Sequence, residues 1–311
     1  MRFMTQTSGT ASIGIDLGGT KCAGVVLDPS GAVVARHRVP TPNGGDAIIS
    51  AIVATATGLR NQAHALGLGE VDHLGIGMPG LVTPNGNLRF APHLFGVTEV
   101  PLTDMLRAQF DAVKSPFSVV SIENDNTAAA WAEFTSGAGK GVDDMVYVGF
   151  GTGIGGAAVV GGKLQRGRNG FAGELGHMVV DRNGDLCVCG RNGCWELYAS
   201  GRGLAKLAGR PGPEITSAAH VGDEDAAEIL RAFARDVAVG LADLVAIYDP
   251  EVLVLGGGVM SAPEPLVGFI RTALPLTMGL GAFHRPIPKV VAAGLGGEGG
   301  AIGAARLALL A

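Results

Sequence analysis

The chain has few cysteines, little charge and no long apolar run, and each shortage removes a class of protein. Four cysteines occur in 311 residues. Cys22 stands alone, and the others sit as Cys187-x-Cys189-x4-Cys194, which in a reducing compartment is more often a metal site than a disulfide framework. Charged residues make up 16% of the chain and the net charge is −5, with Lys and Arg scattered. That leaves no electrostatic footprint for nucleic acid or an anionic membrane, so neither is expected as a partner. The opening residues MRFMTQTSGT lack the apolar stretch of roughly 7–15 residues that a secretory signal needs. No apolar run is expected to reach the roughly 18 residues that span a bilayer. The chain therefore reads as cytoplasmic. The P-loop string G-x-x-x-x-G-K-[ST] is missing too, since Lys21 follows Thr20 and Lys140 is followed by Gly141; this is no P-loop kinase.

What the chain does have is glycine and apolar surface. Its length points to two domains, and with 47% hydrophobic residues it can bury a large interior. The 51 glycines cluster at the ends of apolar runs, where they suit tight turns and close backbone approach to ligands. SIGIDL (12–17), CAGVVLD (22–28) and AVVARHRV read as three consecutive strands, a meander rather than a βαβ unit. Residues 45–67 read as an amphipathic helix, VDHLGIGMPG as a strand ending in a Pro-Gly turn, 103–112 as a short helix, and FSVVSIEN as a strand. After Asn124-Asp125, good N-cap residues, NTAAAWAEF is a strong helix former. A second meander follows: MVYVGF, the turn GTGIGG, then AAVV. Residues 223–247 read as a long helix, EVLVLGGGV as a buried strand, and the last 23 residues as strand, Gly-rich turn and helix. The two meanders make a weak internal repeat of about 130 residues, which fits two similar domains facing across a cleft.

Five segments carry chemistry. In Asp16-Leu-Gly18-Gly19-Thr20-Lys21, a two-glycine turn exposes backbone N–H groups for phosphate oxygens. Thr20 adds a hydroxyl, Lys21 a cation, and Asp16 a carboxylate for Mg2+; the same residues also suit a plain β-turn. Gly149-Phe-Gly151-Thr152-Gly153-Ile-Gly155-Gly156 contains G-x-G-x-x-G, but a strand follows instead of a helix, so a second phosphate hairpin fits better than a dinucleotide site. Glu123-Asn124-Asp125-Asn126 lies at a strand-to-helix junction. There Asp125 can accept the proton of an attacking hydroxyl and Asn124 can orient it, although an ordinary helix cap reads the same way. Gly173-Glu174-Leu-Gly-His177 with Cys187-Val-Cys189-Gly-Arg-Asn-Gly-Cys194-Trp-Glu196 offers one His and three Cys, a complete tetrahedral Zn2+ set with no open position, hence structural. Glu174 and Glu196 bracket that set and suit sugar hydroxyls. One ring nitrogen of His177 can face the metal and the other the sugar. Buried structural thiols are the plainer reading of the cysteines. Finally, Gly256-Gly257-Gly258 after a buried strand allows an adenine ring to approach the backbone.

Taken together these segments resemble the ROK family of bacterial sugar kinases and sugar-responsive repressors, from Ile13 to about Ala305. GELGHM at 173–178 with CVCGRNGCWE at 187–196 looks like the family signature. GIGMPGLV, LRFAP and IENDN look most like the glucokinases of the family. The resemblance implies an α/β, two-domain actin-like (ribonuclease-H-like) ATPase fold with a central cleft. The expected division is a small domain of residues 1–122 plus 298–311 and a large domain of 123–297 carrying the zinc-binding loop. It implies an ATP-dependent hexose kinase acting on the 6-hydroxyl of glucose, with Mg2+ and structural Zn2+, and a homodimer or homotetramer. Asp125 looks like the base; Asn124, Glu174, His177, Glu196 and Gly80 like sugar contacts; and His177, Cys187, Cys189 and Cys194 like the zinc ligands. Asp16, Gly18 to Lys21 and Gly151 to Gly153 match the phosphate loops, and Gly256 to Gly258 the adenosine loop. Two departures stand out. The chain has His93-Leu-Phe-Gly96-Val97 where family glucokinases commonly have Asn followed by Gly-Trp, and E-N-D-N-T where they have E-N-D-A-N. N-acetylglucosamine, N-acetylmannosamine, fructose and mannose therefore stand as alternative sugars, and polyphosphate as an alternative donor that would want a basic track. A sugar-sensing repressor would need a helix-turn-helix domain ahead of the first hairpin, where 12 residues precede Ile13. A zinc-stabilised binding module would leave Asp125 and both hairpins without a task.

Overall fold

The computed structural model of the protein describes residues 9–91, 98–262 and 264–311; His93 and the departure around it lie outside them. The chain forms two compact units. The first comprises the chain up to Thr135 together with Arg166–Ala172 and Gly297–Ala311. Its centre is β1 (Ser12–Leu17), buried on both faces, as expected of a strand that lacks polar alternation. β1 pairs antiparallel with β2 (Lys21–Leu27), and β2 with β3 (Val33–Pro40). On the other side β4 (His73–Met78) and β8 (Val119–Asn124) add in parallel, giving the order β3-β2-β1-β4-β8. Between them β5 (Leu81–Val82), β6 (Leu88–Phe90) and β7 (Thr98–Val100) form a small separate sheet.

Helix α1 (Gly45–Ala65) packs on one face of the five-stranded sheet, with α2 (Leu102–Ala112) beside it. The C-terminal helix (Gly299–Ala308) takes the other face and lies directly on the strands. A Cβ at Gly14 would fall 1.9 Å from the Ala301 carbonyl oxygen, and one at Gly75 1.8 Å from that of Ala304. Glycine at both positions is what lets this helix touch strand backbone. Helix α3 (Asp125–Ser136) starts where β8 stops and packs against the same C-terminal helix, Ala128 beside Gly303. That contact holds α3 in the first unit, so the units part at Thr135/Ser136 and not at the 122/123 boundary drawn from the sequence. Asn124 and Asp125 accordingly belong to the first unit.

The second unit comprises Ser136–Gln165 and Gly173–Gly296. It repeats the same strand logic. β9 (Met145–Phe150), β10 (Ile154–Val160) and β11 (Lys163–Leu164) form an antiparallel meander. β12 (Val252–Gly256) and β13 (Lys289–Ala292) add in parallel beside β9. The internal repeat read from the sequence is thus a repeat of topology. One detail differs: β10 begins at Ile154, so the turn is Gly151–Gly153 alone, and the glycines at 155 and 156 pair within the ladder. After a long irregular loop come α4 (Glu196–Ala199), α5 (Gly201–Ala208), α6 (Gly212–His220), α7 (Glu224–Tyr248) and α8 (Leu266–Met278). α7 starts on Asp223, whose carboxylate accepts the Ala226 N–H at 2.9 Å, an N-cap. It buries Leu230, Phe233, Val237, Leu241 and Leu244 in the core of the unit.

Contrary to the sequence-based expectation, one stretch, Leu266–Phe283, is apolar enough by length and composition to cross a membrane, with a mean hydropathy of 1.5. It is divided into α8 and a following 3-10 turn (Gly279–Phe283). Leu266, Val267, Ile270 and Leu274 are buried in the core of the second unit.

Candidate active site

In the first unit the site grows from the ends of β1 and β8. Gly18 N–H donates to the Lys21 carbonyl at 2.8 Å and closes the turn between β1 and β2. Lys21 leaves the turn to donate to the Gly297 carbonyl at 3.2 Å, and its ammonium lies 3.9 Å from Asp16 Oδ2. Asp16 pairs with Gly77 across the sheet, and the first turn of the C-terminal helix presses on its carboxyl, where a Cβ at Gly300 would be 2.8 Å away. Burial pushes the Asp16 carboxyl up to about 6; the neighbouring Asp125 carboxylate adds to this and Lys21 opposes it. A carboxylate so placed gains from a bound cation, and the donor chemistry fits Mg2+.

Asp125 opens α3. Its Oδ1 accepts from the Asn126 backbone N–H at 2.9 Å and from the Asn126 side-chain amide at 3.0 Å; Oδ2 carries neither bond. Burial pushes the Asp125 carboxyl up, and the bonds from Asn126 pull it back. Asn124 serves as the cap of the helix. Its Oδ1 accepts from Asn126 N–H at 2.9 Å and Thr127 N–H at 3.1 Å, while Nδ2 donates to the Gly80 carbonyl at 3.2 Å. The cap reading and the binding reading of this motif therefore coexist, with one amide N–H of Asn124 left for a ligand. Glu123, buried just before it, accepts the Asn124 N–H at 3.2 Å and the Arg166 Nε–H at 2.5 Å.

In the second unit Gly151 N–H donates to the Gly153 carbonyl at 2.9 Å. Gly201 N–H donates to the Gly151 carbonyl at 2.8 Å, and Arg202 Nε to that of Thr152 at 3.0 Å. Gly153 faces Glu196, where a Cβ would stand 2.5 Å from Oε2. Glu196 is buried and follows Trp195, whose indole is fully buried, donates to the Asp236 carbonyl at 2.9 Å and meets Phe150 edge-on at 5.7 Å. His177 gathers the carboxylates: Nδ1 lies 3.7 Å from Glu196 Oε1 and Nε2 3.8 Å from Glu174 Oε2.

The ligand atoms of His177, Cys187, Cys189 and Cys194 all lie within 4.8 Å of one another. Cys189 Sγ is 3.5 Å from Cys194 Sγ, and Cys187 Sγ 3.7 Å from His177 Nδ1. A tetrahedron of bonds of ~2.3 Å has edges of ~3.8 Å, so these two distances are close to such edges and the cluster is compatible with a Zn2+ ion. Burial, followed by the other two thiols, pushes Cys194 up to about 12, a cost that a bound dication reverses. Cys187 Sγ also approaches Glu196 Oε1 at 3.3 Å, which ties the cluster to one of the predicted sugar ligands.

The glycines at 256–258 divide. A Cβ at Gly256 would strike the Tyr147 hydroxyl at 2.3 Å and one at Gly257 the Phe150 carbonyl at 2.4 Å, whereas Gly258 has nothing within 4 Å. Packing thus explains the first two, and only Gly258 is open to a ligand. Sequence reasoning missed Arg166, Arg202 and the close approach of Gly300 to Asp16. The two arginines of QRGRNG carry no spacing signal that singles out Arg166, and a glycine near the C-terminus gives no hint that it meets residue 16.

The ROK family model matches residues 12–310. A glucokinase of Streptomyces coelicolor is 37% identical, covering 96% of this chain and 97% of that protein. An N-acetylmannosamine kinase of Escherichia coli is 36% identical, covering 96% of this chain and 98% of that one. Among solved structures, a ROK family glucokinase from Streptomyces griseus in complex with glucose and AMPPNP is similar with a TM-score of 0.83 and 37% identity, covering 97% of this chain and all of that one.

Proposed function

This chain belongs to the ROK family, and we propose that within it the protein is an ATP-dependent hexose kinase, a glucokinase that phosphorylates the 6-hydroxyl of glucose. The relatives named glucokinase and the solved complex with glucose and AMPPNP support the substrate pair. The observation that carries the chemistry is Asp125: a carboxylate raised by burial, at a rigid strand-to-helix junction, with Oδ1 committed to Asn126 and Oδ2 outside those bonds.

On this reading Asp125 accepts the proton of the sugar hydroxyl as it attacks the γ-phosphorus. Phosphoryl transfer passes through a loose transition state, so alignment weighs more than basicity. Asn124, Gly80, Glu174, His177 and Glu196 hold the hexose; carboxylates are suited to this because each oxygen accepts from a sugar hydroxyl. Gly18, Gly19, Thr20 and Lys21 receive phosphate oxygens, as do Gly151, Thr152 and Gly153, and of Gly256 to Gly258 the last is the one open to the adenosine. Asp16 would hold Mg2+, which neutralises phosphate charge when bound. His177, Cys187, Cys189 and Cys194 would hold a structural Zn2+ that stiffens the loop bearing Glu174 and Glu196. We read the protein as cytoplasmic and as a homodimer or homotetramer, which size-exclusion chromatography with light scattering checks.

The deciding experiment is ADP release from ATP with a panel of glucose, N-acetylglucosamine, N-acetylmannosamine, fructose and mannose, repeated with polyphosphate as donor. Glucose with ATP is expected to give the highest kcat/KM. A higher value for N-acetylmannosamine would move the reading to the second relative's activity, and no hexose-dependent ADP release would remove it. Metal analysis of the purified protein is expected to find one zinc per chain, lost in Cys189→Ser together with a rise in the sugar KM.

A further inference from the structure

Residues Arg166–Ala172 belong to the first unit although the chain on either side belongs to the second. This strap closes on itself, with Ala172 N–H donating to the Arg166 carbonyl at 3.1 Å. It rests against the start of the small sheet: a Cβ at Gly170 would come 2.5 Å from the Val82 carbonyl oxygen. At its leading end Arg166 Nε donates to Glu123 Oε2 at 2.5 Å. The Glu123 side chain is 11% exposed and that of Arg166 42%. Among the described residues, the cation paired with Glu123 is Arg166. The other oxygen of Glu123 accepts the Asn124 backbone N–H, and the next residue is Asp125. The contacts therefore run in series, from guanidinium to carboxylate to the Asn124 N–H, one residue before Asp125.

A salt bridge half open to water does little for stability on its own. This one has a different consequence. Without the guanidinium, Glu123 is a nearly buried carboxylate with no cation beside it, and it is driven to rotate towards water. Rotation releases the Asn124 N–H and with it the direction of the strand-to-helix junction. We propose that Arg166 is a positioning residue for phosphoryl transfer, acting through Glu123 to fix the Asn124 peptide and so the line along which Asp125 faces the sugar hydroxyl. The inference rests on the hexose-kinase reading and extends it to a residue that touches neither sugar nor nucleotide.

The test is a kinetic double-mutant cycle on the full chain, with hydrogen exchange of the same proteins. Arg166→Ala is expected to lower kcat about 10- to 100-fold while the KM for ATP stays within about twofold, because misalignment acts on the chemical step. Arg166→Lys, which keeps the charge and loses the planar fork, is expected to recover part of the loss. In a Glu123→Gln background the same Arg166→Ala change is expected to cost less than about threefold, since contacting residues are not additive. Faster amide exchange across residues 119–127 in Arg166→Ala is the activity-independent readout. A kcat within threefold of wild type, an equal loss in both backgrounds, or unchanged exchange across 119–127 would each overturn the inference. Absence of hexose-dependent ADP release by the wild-type protein would instead sink the kinase reading, and the exchange measurement would then decide the positioning role alone.

Discussion

The turn between β1 and β2 is held by Thr41, whose hydroxyl donates to the Gly18 carbonyl and whose N–H donates to that of Thr20, but it leaves Gly19 open; the turn between β9 and β10 is braced by Gly201, Arg202 and Glu196. Around Gly19 nothing lies within 4 Å of where a Cβ would be, and the charges Asp16 and Lys21 flank the turn. Around Gly151–Gly153 the flanking strands are apolar. The backbone is held there by Gly201 and Arg202, with Glu196 beneath Gly153. The same strand order thus supports two different devices: a charged turn with room for a ligand at Gly19, and a braced turn that belongs to the framework of the carboxylates proposed to hold the sugar. What differs is where the neighbouring helix begins. The C-terminal helix begins against Asp16, on the strand that precedes the first turn, while α5 starts against the second turn itself.

Four substitutions break or sharpen this contrast. The largest effect is expected from Asp125→Ala, with kcat falling about 10^2- to 10^4-fold while sugar binding measured by calorimetry is largely retained. Activity above a tenth of wild type would show that Asp125 is not the base. Next, Gly153→Ala drives a methyl group into Glu196. The KM for glucose is expected to rise about 10- to 100-fold, the value of a charge-assisted hydrogen bond, and an unchanged KM would detach Glu196 from the sugar. Gly19→Ala meets no protein atom, so its Tm should match wild type. If phosphates approach that turn, the KM for ATP rises several-fold, and no change would reduce the first turn to a plain hairpin.

The smallest effect is a gain in stability from Asp16→Asn. The folded-state pKa of Asp16 is raised from 3.8 to about 6, so the stability tied to its proton is fully present below about pH 4 and lost as pH rises through 6. Holding it ionised above that range costs on the order of 3 kcal/mol in the absence of a cation. Asp16→Asn, assayed without divalent ions or nucleotide, is therefore expected to raise Tm by a few degrees at pH 7.5 and not at pH 4. An equal gain at both values would show that charge is not the cause.

Much of this was legible in the sequence because turns and strand ends are written in local residue types. The boundaries of β1, β9 and α1 fall within a residue or two of the readings taken from Gly, Pro and apolar runs. The Cys/His cluster was legible because metal ligands must converge, so spacing within one loop already constrains them. Contacts between distant segments were not legible. Gly14 and Gly75 serve a helix more than 200 residues away, and Gly256 and Gly257 answer to Tyr147 and Phe150. In the sequence Asn124 is either helix cap or ligand group, because a sequence cannot show that one amide oxygen caps two N–H groups while its nitrogen reaches Gly80.

The chain carries two tryptophans, and the fold places one in each unit. Trp131 lies on α3 within two turns of Asp125, stacked on Phe134 at 5.5 Å. Trp195 is flanked by Cys194 and Glu196 and seals the base of the metal loop. The protein thereby has two native optical probes, one on the helix that carries the proposed base and one on the loop proposed to grip the sugar. In Trp131→Phe all remaining indole emission comes from Trp195, so titration of that variant with zinc chelator or with glucose reads the loop without an added label.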